Sequence, residues 1–335
     1  MKKIKVTYFQ RKTASGHFSL ESIYEDLRKR LKIQIDANIH IAKYYSSGFF
    51  KRIYNLLEAP FHQGEINHIT GDIHYVSFLL QKKKTLLTIA DCVFMNTDSK
   101  IKRSILWFFW LYIPSKRVNR IISISNFTKN SILKYLPSFP ENKISVIHVA
   151  VSDIFQYTPK EFNKDKPRIL HIGSAPNKNL IRLLEAIKDI PCKVVIIGKL
   201  TKEYLSKLLE YGIEYENYFN LSEKELFDIY ITSDLLAFVS TYEGFGMPIV
   251  EANKVGRSVI TSNIASMSEV ANDAALLIDP FDISSIREGV LKIIKNDEYR
   301  ETLIKKGLAN AERFNATILA QNYFSLYEQI LLDEN

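Results

Sequence analysis

Short runs of β-branched and aliphatic residues alternate along the chain with longer stretches whose apolar positions recur every three or four residues. In the first half KIKVTYF, INHITGD, KTLLTIAD and RIISIS read as strands, and KISVIHVAV closes the half. Helices are expected over SLESIYEDLRKRL, with Ser19 as N-cap, and over HYVSFLLQKKK and NFTKNSILKYL. The second half alternates more regularly. PRILHIG, CKVVIIG, LLAFVST, SVITS and AALLID read as strands, and KNLIRLLEAIKDI, KEYLSKLLEYG and SEKELFDIYITSD as helices. Ser222 with Glu225 forms a capping box at the start of the last of these. PIVEANKVG is a short helix with Pro248 at its start and Gly256 at its end. Two or three further helices fill residues 284–332. Strands alternating with helices imply parallel sheets covered on both faces. The expected architecture is α/β, two Rossmann-like doubly wound domains facing a cleft, with ligand-binding residues in the strand-to-helix loops.

Length and composition agree with two domains. The chain has 335 residues, at roughly 100–200 residues per domain. Tyr157 to Pro167 holds two prolines and five charges and reads as a linker, so the domains are expected over residues 1–157 and 158–317. With 46% hydrophobic and 24% charged residues, the chain is neither disordered nor collagen-like. Two cysteines, Cys92 and Cys192, make neither a disulfide framework nor a four-ligand zinc site, and a reducing cytosolic compartment fits best. No apolar segment of signal-peptide length follows MKKIKV. The longest apolar run, Ile105 to Ile113, is far shorter than the roughly 20 residues a membrane span needs.

Charge is uneven. Residues 1–160 carry 25 Lys/Arg and 11 Asp/Glu, and residues 161–335 carry 20 and 26. A basic first half attracts an anionic partner: nucleic acid, anionic lipid or a pyrophosphate-bearing substrate. Lys100, Lys102, Arg103, Lys116, Arg117 and Arg120 flank the aromatic run containing Trp107, Phe108, Phe109, Trp110 and Tyr112. Two readings stand: a surface that dips into a lipid interface, and a buried helix.

The most informative stretch is STYEGFGMPIVEA, Ser240 to Ala252. It runs from a buried strand into a helix start. Gly244 and Gly246 let backbone approach a ligand, Pro248 presets the first helical turn, and the exposed amides suit an anion or sugar hydroxyls. Glu243 and Glu251 are two carboxylates able to accept hydrogen bonds from hydroxyls. In HIGSAPNKN, Gly173 ends a strand, and Lys178 with free loop amides makes an anion site. HITGDIH places His68, Asp72 and His74 just after a strand, where a carboxylate and an imidazole can orient a hydroxyl.

The string E-G-F-G-M-P-x-x-E-A strongly resembles the E-x7-E signature of retaining GT-B glycosyltransferases of family 4. SVITSNIASMSEVANDAALLIDPFD, HIGSAPNKNLIRLLEAI and VNRIISISNFTKNSILKYLP resemble further segments of that family. RKTASGHFSLESIY and INHITGDIHYV resemble its subset that builds bacterial surface polysaccharides. The resemblance implies a nucleotide-sugar-binding C-terminal domain and an acceptor-binding N-terminal domain, with a final helix, about 318–335, packing back on the latter. It implies a metal-independent hexosyltransferase acting with retention on a UDP- or GDP-type donor, with no cofactor. Donor contacts then fall on Gly16, Gly173, Ser174, Lys178, Lys199, Leu221, Glu243, Gly244, Phe245, Gly246, Met247, Pro248 and Glu251. Lys178 stabilises the diphosphate, Glu243 positions the sugar and Glu251 the ribose. His74 and Asp72 complete the catalytic set. Acceptor or membrane contacts fall on Trp107, Phe108, Trp110, Arg103, Lys116 and Arg117. The expected acceptor is a glycan or a lipid-diphosphate-linked oligosaccharide, the expected location the inner face of the plasma membrane, and nucleic acid is not an expected partner.

Two departures stand out. Many relatives read T-x-H-D where this chain has Thr88-Ile89-Ala90-Asp91, and the Arg often found before the phosphate lysine is absent beside Pro176 and Asn177. Ala90 keeps open an alternative, a weak or inactive GT-B scaffold that binds a partner glycosyltransferase. The absence of Asp-x-Asp argues against a metal-held diphosphate.

Overall fold

The computed structural model describes residues 2–12 and 19–332. The chain divides into two compact units, Met1–Ala150 with Ala316–Asn335, and Val151–Asn315. In the first, six parallel strands lie in the order β2-β1-β3-β4-β5-β6. They are β1 (Ile4–Gln10), β2 (Ile35–Ile41), β3 (Ile66–Ile69), β4 (Thr85–Ile89), β5 (Arg120–Ser123) and β6 (Ile144–Val146). Their helices are α1 (Ser19–Arg30), α2 (Phe49–Glu58), α3 (Lys100–Leu106), α4 (Ile113–Arg117) and α5 (Asn126–Tyr135). A π-helical turn, Trp107–Tyr112, joins α3 to α4.

The second unit holds β7 (Arg168–Ile172), β8 (Lys193–Ile197), β9 (Glu214–Tyr218), β10 (Leu235–Phe238), β11 (Ser258–Ser262) and β12 (Leu276–Ile278). They form a parallel sheet ordered β12-β11-β10-β7-β8-β9. Around it lie α6 (Leu180–Ile187), α7 (Lys202–Glu210), α8 (Glu223–Thr232), α9 (Met247–Val255), α10 (Ala265–Ala271), α11 (Ile283–Lys295) and α12 (Asp297–Ala311). The chain ends with α13 (Ala316–Leu332), which packs in the first unit against α1 and β3. Both units are therefore doubly wound.

Helix ends follow the sequence signals. The Ser222–Glu225 capping box is formed, and Gly256 ends α9 in the left-handed conformation. HYVSFLLQKKK differs: it makes two 3-10 turns, His74–Leu79 and Lys82–Lys84, and the Ser77 hydroxyl donates to the His74 carbonyl. Tyr157 to Pro167 is irregular and tied to the second unit. Asp234 accepts from the Asn163 and Arg168 amides and pairs with Lys160, and Arg257 donates to the Thr158 carbonyl.

His68 belongs to the core of the first unit. Its Nδ1 lies 2.8 Å from the Tyr327 hydroxyl and its Nε2 2.8 Å from the Thr88 hydroxyl. Tyr24 donates to Thr88, and the Tyr8 and Tyr327 hydroxyls are 3.1 Å apart. Burial lowers the imidazole pKa to about 3, so the ring stays neutral at ordinary pH. The network fastens α13 to the sheet with every member paired. Tyr327→Phe is expected to leave His68 and Tyr8 short of a partner and to lower unfolding stability by about 2 kcal/mol in urea titration.

Candidate functional site

The sheet of the second unit reverses its order between β7 and β10, and a doubly wound sheet binds ligands beyond the strand ends at such a point. Two loops leave these strand ends side by side. After β7, Gly173 takes φ 101°, and a Cβ there would fall 2.6 Å from the Lys178 side chain. This position therefore needs glycine, both for its backbone and for the lysine that folds over it. A 3-10 turn, Pro176–Lys178, and a left-handed Asn179 then lead into α6. After β10, the loop from Ser240 reaches Gly246, whose φ of 115° turns the chain into α9 with Pro248 in its first turn.

Asparagines lock the two loops together. The Thr241 amide donates to the Asn177 carbonyl at 2.7 Å, and the Asn177 side chain donates to the Tyr242 carbonyl at 2.9 Å. The Asn179 side chain donates to the Val239 and Pro280 carbonyls. Ser266 lies 2.9 Å and 2.7 Å from the Glu243 and Phe245 carbonyls, fixing the second loop from the side of α10.

Across this junction Lys178 Nζ meets Glu243 Oε1 at 2.6 Å, with both side chains mostly buried. The ammonium also stands 4.9 Å from the centroid of the Phe238 ring. Desolvation strengthens the pair and leaves the lysine ready to face a second anion. Eight residues beyond Glu243, Glu251 is buried on α9 and accepts from the Tyr230 hydroxyl at 2.7 Å. Burial raises the Glu251 carboxyl to about 7, against the lowering effect of that hydrogen bond. The result is a cation, a paired carboxylate and a buried carboxyl at one sheet edge, suited to an anionic ligand rich in hydroxyls.

The remaining expected residues spread around this centre. Ser174 follows Gly173, and its backbone carbonyl accepts from the Tyr204 hydroxyl. Gly244 lies between Glu243 and a buried Phe245 that packs edge-on against Phe314, and Met247 begins α9. Lys199 is exposed at the end of β8, and Leu221 is half-buried just ahead of α8. Gly16 lies outside the described residues. Tyr230, Asn177, Asn179 and Ser266 were not expected here. Each acts across the fold on a backbone carbonyl or a carboxylate, which spacing along the chain does not reveal.

In the first unit, Asp72 lies on the loop after β3 and His74 opens the 3-10 turn that follows, at that sheet's own reversal between β1 and β3. Trp110 connects them: its indole donates to Asp72 at 2.7 Å and its carbonyl lies 2.7 Å from His74 Nδ1. A carbonyl only accepts, so Nδ1 carries the proton, and a neutral ring keeps its Nε2 lone pair. Burial lowers the His74 pKa, against the opposite pull of Asp72 and Asp91. The aromatic run is thus divided. Trp110 is turned inward, Trp107 donates to the Tyr135 carbonyl, and Phe108, Phe109 and Tyr112 are exposed. Arg103, Lys116 and Arg117 are exposed around them. Among the described residues no His, Cys, Asp and Glu cluster has the makings of a metal site.

Residues 154–309 match the model of the family described as glycosyl transferases group 1. O-antigen chain mannosyltransferase B of Escherichia coli is 30% identical over 234 residues, which cover 62% of this chain and 60% of that protein. O-antigen chain mannosyltransferase RfbU of Salmonella typhimurium is 28% identical, with 60% of this chain and 58% of that one covered. The match thus spans about three fifths of these relatives' length. Among solved structures, Anabaena Alr3699/HepE in complex with UDP and glucose superposes with a TM-score of 0.81 over 97% of this chain and 100% of that chain, at 14% identity. WaaG, a glycosyltransferase involved in lipopolysaccharide biosynthesis, superposes with 0.75 over 97% and 99%, at 11% identity. The fold is the two-domain GT-B fold.

Proposed function

We propose, from the match of residues 154–309 to the model of the glycosyl transferases group 1 family, that the protein moves a hexose from a nucleoside-diphosphate sugar to a glycan or lipid-linked oligosaccharide. The observation that carries this reading is the Lys178–Glu243 pair at the sheet reversal, with buried Glu251 eight residues on. The mannosyltransferases among the relatives point to mannose as the hexose and to surface polysaccharide as the product. The donor is of UDP or GDP type.

In this mechanism the glycosidic bond loosens and charge develops on the departing diphosphate. Lys178 stabilises it, supplying the positive charge that a metal brings elsewhere, together with loop amides other than those of Gly173 and Lys178, which bond to the Ile197 and Ala175 carbonyls. Glu243, held by Lys178, accepts from the sugar hydroxyls, and Glu251 accepts from the ribose. The acceptor attacks from the leaving-group face, giving retention, and the departing phosphate takes its proton. Asp72 and His74 orient the acceptor hydroxyl in the first unit. The acceptor is borne on lipid at the inner face of the plasma membrane, where the basic first unit attaches.

The test is to incubate the full chain with UDP- and GDP-hexoses in EDTA and follow nucleoside-diphosphate release, then to read the anomeric configuration of the product by NMR. Release from one donor with retention is the expected result. Inversion, or release only on adding a divalent metal, contradicts the mechanism.

A further inference from the structure

Helix α2 turns the usual pattern inside out. Phe49, Ile53 and Leu57 recur four residues apart with Phe50 beside them, an apolar stripe that a globular fold normally buries. Here Asn55 is the buried residue of the helix, bonding to the Tyr44 backbone and the Tyr75 hydroxyl. Leu56 packs against the core and Ile53 is half-buried, but the rest of the stripe faces outward: Phe50 is 84% exposed, Phe49 70% and Leu57 57%, and Phe61 just beyond is 86% exposed. The π-helical turn adjoins α2, because Arg52 lies 4.7 Å over the Trp110 ring, and it adds exposed Phe108 and Phe109. Residues 37–62 and 100–117 together hold eight lysines and arginines against one acidic residue, Glu58.

We propose that α2 and the 100–117 helical segment form one docking surface for an anionic lipid bilayer, with Phe49, Phe50 and Phe61 entering the headgroup–acyl boundary. Protruding phenylalanines gain by leaving water, and interleaved cations meet anionic headgroups. A polyanion such as nucleic acid would use the cations but leave the phenylalanine stripe in water. The surface is coupled to Asp72 and His74, since Trp110, under Arg52, bonds to both. This extends the reading of a lipid-borne acceptor and rests on it for its purpose.

The test is cosedimentation of the full chain with vesicles of equal parts phosphatidylglycerol and phosphatidylcholine, and with vesicles of phosphatidylcholine alone. Wild type is expected to bind the anionic vesicles at least about tenfold more tightly, less so in high salt. The double variant F49S/F50S, with unchanged circular dichroism, is expected to lose about tenfold or more. Phe281→Ser, which removes an exposed phenylalanine from the second unit, should bind as wild type. Equal binding by F49S/F50S and wild type overturns the proposal. So does a wild-type dimer that this variant dissolves, or binding to heparin without binding to vesicles. Nucleotide binding measured on the same variants separates the readings. If it persists while vesicle binding is absent in wild type, the surface fails alone. If vesicle binding stands and no nucleotide binds, the transferase reading falls and the surface remains.

Discussion

Lys178→Ala is expected to lower kcat for sugar transfer by about 10²–10³-fold while leaving the fold intact. The lysine has two tasks that its geometry joins. Its ammonium holds Glu243 at 2.6 Å, and in the proposed mechanism it meets the charge that develops on the diphosphate. Truncation removes the cation and leaves a mostly buried Glu243 without its salt bridge, which repels the incoming phosphate. Lys178→Gln restores a hydrogen-bond donor to Glu243 but no charge, so it should recover donor affinity more than kcat. Gly173→Ala is expected to resemble Lys178→Ala, because the new methyl group displaces the lysine stem from a backbone already at positive φ. Steady-state kinetics with melting curves on the three variants measures the effect. Unchanged kcat in Lys178→Ala removes the lysine from the chemistry.

Glu251→Gln is expected to stabilise the protein above neutral pH and to abolish productive donor binding. The folded-state carboxyl is raised from 4.5 to about 7 by burial, so the folded chain holds its proton more tightly than the unfolded one. The contribution to stability is therefore fully present below 4.5 and is lost as pH rises through about 7. Glutamine escapes that loss, a gain of about 2–3 kcal/mol above pH 7 that vanishes in acid. His68 and His171, lowered to about 3 and about 4, work in the opposite sense and weaken the fold as pH falls below 6.5. In the proposed mechanism donor binding uses the Glu251 carboxylate, so affinity should climb with pH up to about 7 in wild type. From α8, Tyr230 lowers the Glu251 pKa and Glu223 raises it, while Arg257 holds the Tyr230 carbonyl. Tyr230→Phe should accordingly move the pH midpoint of donor binding upward. A midpoint that does not move separates Tyr230 from the site.

Much of this is written along the chain, for physical reasons. The turn of Gly246 and Pro248 into α9, the capping box of α8 and the continuous apolar runs of strands buried on both faces are local, and local signals survive in sequence. Edge strands are harder. β2 carries Asp36, Asn38 and His40, and β9 reads EYENY, because both have largely solvent-facing residues and lack an apolar run. The apolar spacing of α2 is visible in sequence, but its outward orientation arises from tertiary packing. The bonds that shape the site are long-range too: Asn177 to Tyr242, Ser266 to the Glu243 carbonyl, Tyr230 to Glu251. His68 and His74 show the limit most clearly. His68 lies within β3 inside a tyrosine network, and His74 opens the 3-10 turn beyond that strand, between a tryptophan carbonyl and nearby carboxylates.

The central claim is that the sheet reversal of the second unit holds a nucleoside diphosphate sugar through Lys178, Glu243 and Glu251 without metal. Isothermal calorimetry of UDP, GDP and their hexose conjugates in EDTA, on wild type, Lys178→Ala and Glu251→Gln, tests it most directly. One nucleotide series is expected to bind wild type, with Lys178→Ala weakening every diphosphate of that series and Glu251→Gln abolishing binding. Undiminished binding in both variants, or none to wild type, contradicts it.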